Sequence, residues 1–300
     1  MTGPRDTKRS GAGASRLRVP KTYKLYVGGR FPRSESGRTY PVNGPDGGLL
    51  AHAVLGSRKD LRDAVKAARS AQAGWVGKTA YNRAQILYRV GEIMEGRRGQ
   101  FVDELAAGGI DDAEGEVDAA IDRWVWYAGW ADKLPAVLGG ANAVAGPYFN
   151  FTVPEPTGVV GLVAPDEAPL LALVSRLAPI IVSGNTVVAL ASEALPLPAV
   201  TLGEALATSD VPGGVINLLT GKRAELVPWF AGHRDVNAVD LTGVDDADLA
   251  AEAERAAADS VMRVTRATGP DADWRSPTAE SPYAIEAFLE HKTVWHPKGA

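Results

Sequence analysis

The 300-residue sequence contains no cysteine and only four histidines, which restricts the chemistry that its side chains could perform. Without cysteine the chain has no thiol nucleophile, no thiolate metal site and no disulfide. The histidines are not spaced as a metal-binding pair on one helical face, so we interpret them as surface or structural residues. They are His52, His233, His291 and His296.

The composition is that of an ordinary globular protein, with 45% hydrophobic and 23% charged residues and a formal net charge of -4. We therefore expect no nucleic-acid partner, and no apolar run approaches the ~18 residues of a membrane span. Residues 1–21 are rich in Gly, Ser and basic residues and lack the apolar stretch of a secretory signal, which predicts a disordered tail. Together with the missing disulfides, these features favour a cytoplasmic protein.

The first half of the chain must be largely helical, because its apolar residues recur near a period of 3.6. Helices are predicted over 58–75, 80–107 and 113–133, after a hairpin at 24–31 that turns at Gly28 and Gly29.

From residue 147 onwards, short apolar strands alternate with helices. A period-two pattern predicts a strand over 147–153, and buried strands follow at 158–163, 185–190, 214–219, 236–241 and 260–268. Helices are predicted between them at 169–183, 198–208 and 246–258, and this alternation indicates an α/β fold with a doubly wound, Rossmann-like parallel sheet. After a loop at 269–282 come a short helix near 283–290 and a strand at 292–295, which must join another sheet because a lone strand is not stable.

Several of these segments, in order, resemble the aldehyde dehydrogenase family. The motifs are EPTGVVGLVAP at 155–165, LAPIIVSGNTVV at 177–188, VPGGVIN at 211–217 and Thr242-Gly243, all similar to the dinucleotide-binding half of that family. KTVW at 292–295 is similar to a strand near the end of many members. The resemblance therefore implies a nucleotide-binding half plus a small β oligomerisation subdomain.

The resemblance also implies how the chain is divided. Residues 22–146 would form the N-terminal hairpin and helices, 147–156 an oligomerisation strand, 157–268 the nucleotide-binding core, and 283–300 a short helix with a terminal oligomerisation strand. The family places its catalytic domain where this chain has only the loop 269–282. In the family, the equivalents of hairpin 24–31 and the strands at 147–153 and 292–295 build the sheet that joins subunits. Val294 and Trp295 should lie on opposite faces of it, with at least one buried at a contact.

Three requirements for aldehyde oxidation are missing if the resemblance holds. The family uses a cysteine nucleophile, and this chain has none. Ala267 stands where the family has its general-base glutamate, and Glu167 stands where an asparagine stabilises the oxyanion. A carboxylate at that place would repel the developing negative charge. The resemblance therefore implies no aldehyde oxidation.

The positions that contact the cofactor in the family are only partly kept. The matching residues are Ala164, Pro165, Glu193, Gly221, Thr242 and Gly243. Glu193 either accepts both ribose hydroxyls or merely begins a helix, and both interpretations stay open. Leu190 replaces a lysine, Val244 replaces a serine, and Asp245 and Asp246 bring negative charge towards a phosphate site. We therefore expect binding of NAD or NADP to be weak or absent.

The sequence thus predicts a catalytically inactive homologue that acts as an assembly or regulatory subunit. Its partners would be copies of itself, in a homo-oligomer, or a full-length aldehyde dehydrogenase, in a hetero-oligomer. Two alternatives remain open. One is an NAD(P)-binding oxidoreductase with altered chemistry, which would use Asp166 and Glu167 as a new acidic pair, and the other is a remnant without a selected role.

Overall fold

The structure, a computed structural model, describes residues 19–266 and 273–298. The predicted tail at 1–21 lies outside the described residues except for its last three positions. The strands are β1 (Thr22–Tyr23), β2 (Thr39–Asn43), β3 (Leu49–Val54), β4 (Gly140–Asn142), β5 (Tyr148–Pro156), β6 (Val159–Val163), β7 (Thr186–Leu190), β8 (Ile216–Leu219), β9 (Ala238–Asp240), β10 (Arg263–Thr265) and β11 (Leu289–Pro297).

The helices alternate with these strands from β6 to β10. They are α1 (Arg58–Val76), α2 (Ala80–Gly96), α3 (Arg98–Ala107), α4 (Ala113–Ala128), α5 (Leu134–Leu138), α6 (Leu171–Val182), α7 (Leu197–Leu206), α8 (Arg223–Ala231), α9 (Ala247–Ala258) and α10 (Tyr283–Glu286). Within the described part of the chain, no helix has both the length and the apolar character needed to cross a bilayer.

Five strands form a wholly parallel sheet in the order β10-β9-β6-β7-β8. The chain runs outwards from β6 to β8 on one side, returns, and runs outwards through β9 and β10 on the other. This order confirms the predicted α/β doubly wound fold. The direction of winding changes between β6 and β9, and the carboxyl ends of these two strands border the crevice where such sheets bind ligands.

Alternate residues of the buried strands supply two apolar cores, one on each face of the parallel sheet. Val160 and Leu162 of β6 pack with α2, α4, α6 and α7, whereas Val159 and Val163 pack with α1, α8 and α9. β6 is apolar at every position, and β7 is apolar at every position except Thr186, because both faces of these strands are covered. The helices on the two faces therefore hold the carboxyl edge of the sheet in place.

The helix predicted over 80–107 is instead two helices, α2 and α3. Arg97 separates them with φ -112° and ψ 8°, which is not helical geometry. Gly96 and Gly99 flank this break, and glycine lowers the cost of leaving the helix because it has little helical preference. The continuous apolar pattern concealed the break.

The terminal strand β11 pairs antiparallel with β5, with Val294 opposite Phe151 and Trp295 opposite Asn150. This confirms that the strand predicted at 292–295 joins the strand predicted at 147–153. The third strand of this sheet is β4, in the order β11-β5-β4. We name this three-stranded unit the terminal sheet.

The expectation that hairpin 24–31 belongs to the same sheet was wrong. Tyr26 pairs with Leu218 of β8, and Val27 pairs with Arg30. The buried side chains of Leu25 and Tyr26 hold the hairpin against the nucleotide-binding half. The strands β2 and β3 form a further sheet with β1, in the order β1-β3-β2, which the sequence patterns did not predict.

Large apolar side chains remain exposed on the terminal sheet. The exposed fractions are 40% for Tyr148, 47% for Phe149, 41% for Val294 and 59% for Trp295. Val294 and Trp295 are adjacent in β11 and so point to opposite faces, as expected. Within one chain neither is buried, so the burial expected for one of them stays a prediction about a contact with another subunit.

Residues 273–288 pack closely on the helices of the nucleotide-binding half. The buried guanidinium of Arg123 in α4 donates to the carbonyl oxygens of Trp274 at 2.9 Å and Ala279 at 3.1 Å. Ile285 and Phe288 are fully buried. This segment therefore covers apolar surface of the nucleotide-binding half.

Candidate nucleotide-binding site

The crevice between the carboxyl ends of β6 and β9 brings together Ala164, Pro165 and Gly243. A Cβ atom at position 243 would collide with the carbonyl group of Ala164 and the nitrogen of Pro165. The N–H group of Gly243 also donates to the carbonyl oxygen of Val163 at 3.0 Å. Only glycine permits this close approach, so Gly243 has a structural reason to be glycine that does not depend on a ligand.

Thr242 donates twice to the carboxylate of Asp240. Its N–H group lies 2.9 Å from Asp240 Oδ1, and its hydroxyl donates to the same oxygen. The other oxygen of Asp240 accepts from Nε of the buried Arg176 at 2.7 Å. The Thr242 hydroxyl is therefore directed towards the chain's own buried ion pair.

Glu193 is bound by two residues at the start of α8. Its Oε1 accepts from Lys222 Nζ at 2.8 Å, and its Oε2 accepts from the backbone N–H of Arg223 at 2.9 Å. Glu193 does not begin its own helix, because the next helix, α7, starts only at Leu197. Its carboxylate instead caps α8, a helix distant in sequence, where a negative charge is favourable.

The side chain of Arg223 lies between the loops that follow β6 and β9. On the β6 side, Nη1 donates to Asp166 Oδ2 at 2.6 Å and Nη2 donates to the carbonyl oxygen of Ala164 at 2.8 Å. On the β9 side, Nη1 lies 3.8 Å from Asp245 Oδ2. The side chain is only 13% exposed, so it fills this part of the crevice.

Asp166 is ionised at neutral pH and fully engaged. Burial raises its pKa, but hydrogen bonds from the Ser192 hydroxyl and the Ala194 N–H, together with the Arg223 guanidinium, outweigh this effect and hold the pKa below its usual value. Ser192 Oγ lies 2.7 Å from Asp166 Oδ1. A carboxylate in this state is a poor base, which weighs against the altered-chemistry alternative that pairs it with Glu167.

Tyr40 supplies a buried hydroxyl beside this network. Its Oη has no hydrogen-bond partner in the structure, and Lys222 Nζ lies 5.2 Å from the centre of its ring. Burial raises the pKa of Tyr40, with smaller contributions from Glu193 and Asp166. Gly221 lies two residues after the end of β8, where a Cβ atom would be 3.3 Å from the Gly56 nitrogen, so it borders the network without contributing a polar side chain.

Carboxylates also cap two further helices that begin at this edge of the sheet. Glu116 Oε1 accepts from the N–H groups of Leu170 at 2.9 Å and Leu171 at 3.2 Å, at the start of α6. Asp246 caps α9 through the N–H groups of Asp248 and Leu249. A phosphate usually binds at free N–H groups of this kind.

Of the two degenerate catalytic positions, the structure describes only Glu167. Glu167 is exposed in the loop after β6, where Ala168 adopts a φ of 47°. Ala267 lies outside the described residues. Among residues 19–266 and 273–298, no cluster of three or more histidine, aspartate or glutamate side chains is arranged to hold a metal ion.

The sequence patterns did not identify Arg223, whose guanidinium lies between the two loops that border the crevice. The pattern showed only that the segment after Gly221 departs from a glycine-rich loop. The available signal was a long basic side chain shortly after the end of β8, with an aspartate after β6, the strand on the other side of β7.

The arrangement does not fit a dinucleotide. Both oxygens of Glu193 are bound by α8 and Lys222, and the Arg223 guanidinium lies between the two loops that would border the pyrophosphate. The N–H groups at the starts of α6, α8 and α9 already have carboxylate acceptors.

A family model and individual relatives identify the same protein family. Residues 31–272 match the family model described as "Aldehyde dehydrogenase family". The chain is 32% identical over 234 residues to aldehyde dehydrogenase family 2 member B4, mitochondrial, of Arabidopsis thaliana, covering 74% of this chain and 42% of the relative. It is 30% identical over 292 residues to human retinal dehydrogenase 2, covering 93% of this chain and 54% of the relative.

Solved structures of aldehyde dehydrogenases have a fold similar to that of this chain. An NAD-dependent aldehyde dehydrogenase from Sinorhizobium meliloti superposes with a TM-score of 0.77 and 26% identity, covering 86% of this chain and 52% of that one. An NAD+ complex of an aldehyde dehydrogenase from Bacillus cereus superposes with a TM-score of 0.74 and 25% identity, covering 82% and 50%. The chain spans about half the length of the relatives that it matches. By sequence and by fold, the chain belongs to the aldehyde dehydrogenase family.

Proposed function

We propose that this chain is a non-catalytic member of the aldehyde dehydrogenase family that serves as an assembly subunit. The observation that carries the proposal is the terminal sheet, which keeps a nine-residue edge strand, β11, and exposes large apolar side chains. A sheet edge with unpaired backbone groups and apolar neighbours favours association with another chain. The partner is a second copy of this chain or a full-length family member.

The lack of the family's catalytic groups supports the proposal that this chain is non-catalytic. The sequence has no cysteine to attack an aldehyde, and Glu167 would repel an oxyanion. The sequence has only residues 266–276 between β10 and the 3₁₀ turn at Pro277–Ala279, where the resemblance places the catalytic domain of the family, and this segment is too short for such a domain.

Weak nucleotide binding is part of the same proposal. The internal partners of Glu193 and Arg223 support an affinity for NAD and NADP worse than about 1 mM, which corresponds to roughly -4 kcal/mol. Such an affinity would leave the crevice largely empty at ordinary cofactor concentrations.

The test of assembly replaces one apolar side chain on the edge strand. Val294→Lys places a charge on β11 without touching the buried core, and a lysine on an edge strand opposes pairing with another sheet. We expect the wild-type chain to be oligomeric by multi-angle light scattering and Val294→Lys to have a lower mass.

The matched control is Val125→Lys on α4. Val125 has the same exposed fraction as Val294, 41%, but lies on a helix away from the terminal sheet. It should keep the wild-type mass. A wild-type chain that stays monomeric both alone and when mixed with a full-length family member would contradict the proposal. So would a Val294→Lys variant that keeps the wild-type mass.

A further inference from the structure

We infer that the Arg223–Asp166 ion pair is an internal closure of the crevice, and that it is what excludes dinucleotides from this chain. The inference rests on the proposed function, in which the wild-type chain binds NAD and NADP weakly. It goes further by assigning the exclusion to one pair of side chains. It also predicts that removing this pair restores binding.

The first observation that supports this closure is where the Arg223 side chain lies. Arg223 is the first residue of α8, yet its side chain reaches across the end of β7 to the loop after β6. There it contacts both the Asp166 carboxylate and the Ala164 carbonyl oxygen, and it lies 3.8 Å from Asp245 on the opposite loop. The guanidinium therefore occupies the space between the loops at which a doubly wound sheet binds its ligand.

The second observation is that Arg223 is largely buried and that Asp166 has several hydrogen-bond partners. Arg223 is 13% exposed, and Asp166 is held by Ser192 and Ala194 as well as by the guanidinium. A ligand would have to displace a charge-assisted contact of 2.6 Å and leave Asp166 without its cation. The pair therefore competes with a ligand through both space and charge.

Charge decides how the pair must be removed. If Arg223 alone were replaced, Asp166 would remain as an uncompensated negative charge near Asp245 and would repel phosphate. Replacing both residues removes the guanidinium and keeps the local charge balanced. Asp166→Asn also keeps an oxygen that accepts from Ser192 Oγ and Ala194 N–H, so the loop retains these hydrogen bonds.

The experiment is calorimetric titration of the full chain with NAD, NADP and ADP. The wild-type chain should bind none of them better than about 1 mM, whereas Asp166→Asn/Arg223→Ala should bind at least one about tenfold more tightly or better. Arg223→Ala alone should gain less than the double variant. The matched control is Asp118→Asn/Arg98→Ala, which removes an exposed bidentate ion pair on α3 and α4 and should leave binding unchanged.

A double variant that folds, as judged by circular dichroism, but binds no more tightly than wild type would overturn the inference. If that variant does not fold, Asp166→Asn/Arg223→Gln keeps part of the aliphatic stem of the arginine and an uncharged donor, and the same gain is required of it after a check of its fold. Micromolar binding by the wild-type chain would instead contradict the proposed weak affinity. Light scattering of the same samples tests assembly separately.

Discussion

Carboxylates of the chain itself cap three helices at the carboxyl edge of the parallel sheet. Glu116, Glu193 and Asp246 accept from N–H groups at the starts of α6, α8 and α9. Each contact satisfies backbone groups that have no partner inside the helix and places negative charge at the positive end of the helix dipole. At the scale of single residues, the groups that would attract a phosphate are thus used for stability.

Glu116 gives this arrangement a measurable pH dependence. Burial raises its pKa above the ordinary value of 4.5, although the N–H groups of Leu170 and Leu171 oppose the shift. A carboxyl group with a raised pKa in the folded state stabilises the fold fully below its unfolded pKa. That contribution is lost as the pH rises from about 4.5 to the folded pKa.

Glu116→Gln keeps an oxygen that can accept from both N–H groups and cannot ionise. We therefore expect the free energy of unfolding of the variant, relative to wild type, to increase as the pH rises above 4.5 and then to level off. Urea unfolding at a series of pH values measures this difference. Glu95→Gln, at an exposed position of α2, should show no such trend. A constant difference across the pH range would contradict the prediction.

The missing catalytic groups give a second prediction at this scale. The purified chain should form no NADH or NADPH from a broad panel of aldehydes, because it has no thiol and Glu167 opposes oxyanion formation. Absorbance at the wavelength of the reduced cofactor measures it, with a cysteine-containing family member as the positive control. Turnover that stays with the chain at constant specific activity through further purification would show the prediction to be wrong.

Among the elements of the fold, residues 273–288 cover apolar surface of the nucleotide-binding half that would otherwise be exposed. The segment is fixed by Arg123, which also donates to Ser175 Oγ at 2.8 Å and lies 3.3 Å from Glu280. One guanidinium therefore joins α4 and α6 to the segment. A planar group with several donors suits this role, because it satisfies several buried acceptors at once.

Arg123→Met should destabilise the fold by about 2–4 kcal/mol, because it leaves the part-buried carbonyl groups of Trp274 and Ala279 without a donor. Chemical denaturation measures the loss, and limited proteolysis should cut near residues 273–281 faster than in wild type. The control is Arg89→Met, which removes an exposed pair with Glu92 that solvent screens, and it should leave the stability nearly unchanged. Equal effects of the two substitutions would mean that Arg123 does not fix the segment.

The elements also show what the sequence could and could not predict. The buried strands and the doubly wound order followed from apolar runs that alternate with helices. The instability of a lone strand predicted only that β11 joins a sheet, and the family resemblance implied that β5 belongs to it. Helix α8 was not predicted, because it is short, carries Pro228 and has only a few buried residues. The ion pair of Arg223 with Asp166 was missed because it joins residues 57 positions apart, and hydrophobic periodicity carries no information about such distant contacts.

At the scale of the whole molecule, the described residues form a nucleotide-binding half whose two cores are covered, joined to one sheet that is not. Ile285, Phe288 and Leu289 are buried, whereas from Glu290 to Pro297 every residue of β11 is exposed. Tyr148 and Trp295 contact each other edge to face, with 5.7 Å between ring centres, yet both remain exposed. Association would bury these apolar side chains and so stabilise the fold.

Association should therefore make the thermal stability depend on protein concentration. For a homodimer, a hundredfold rise in concentration stabilises the assembled state by about 2.7 kcal/mol, because the partner acts as a ligand of the folded chain. We expect the melting temperature of the wild-type chain and of Val125→Lys to rise with concentration, and that of Val294→Lys to stay constant. Differential scanning fluorimetry at matched concentrations measures all three. A wild-type melting temperature that does not change with concentration would rule out self-assembly through the terminal sheet and leave a full-length family member as the partner to test.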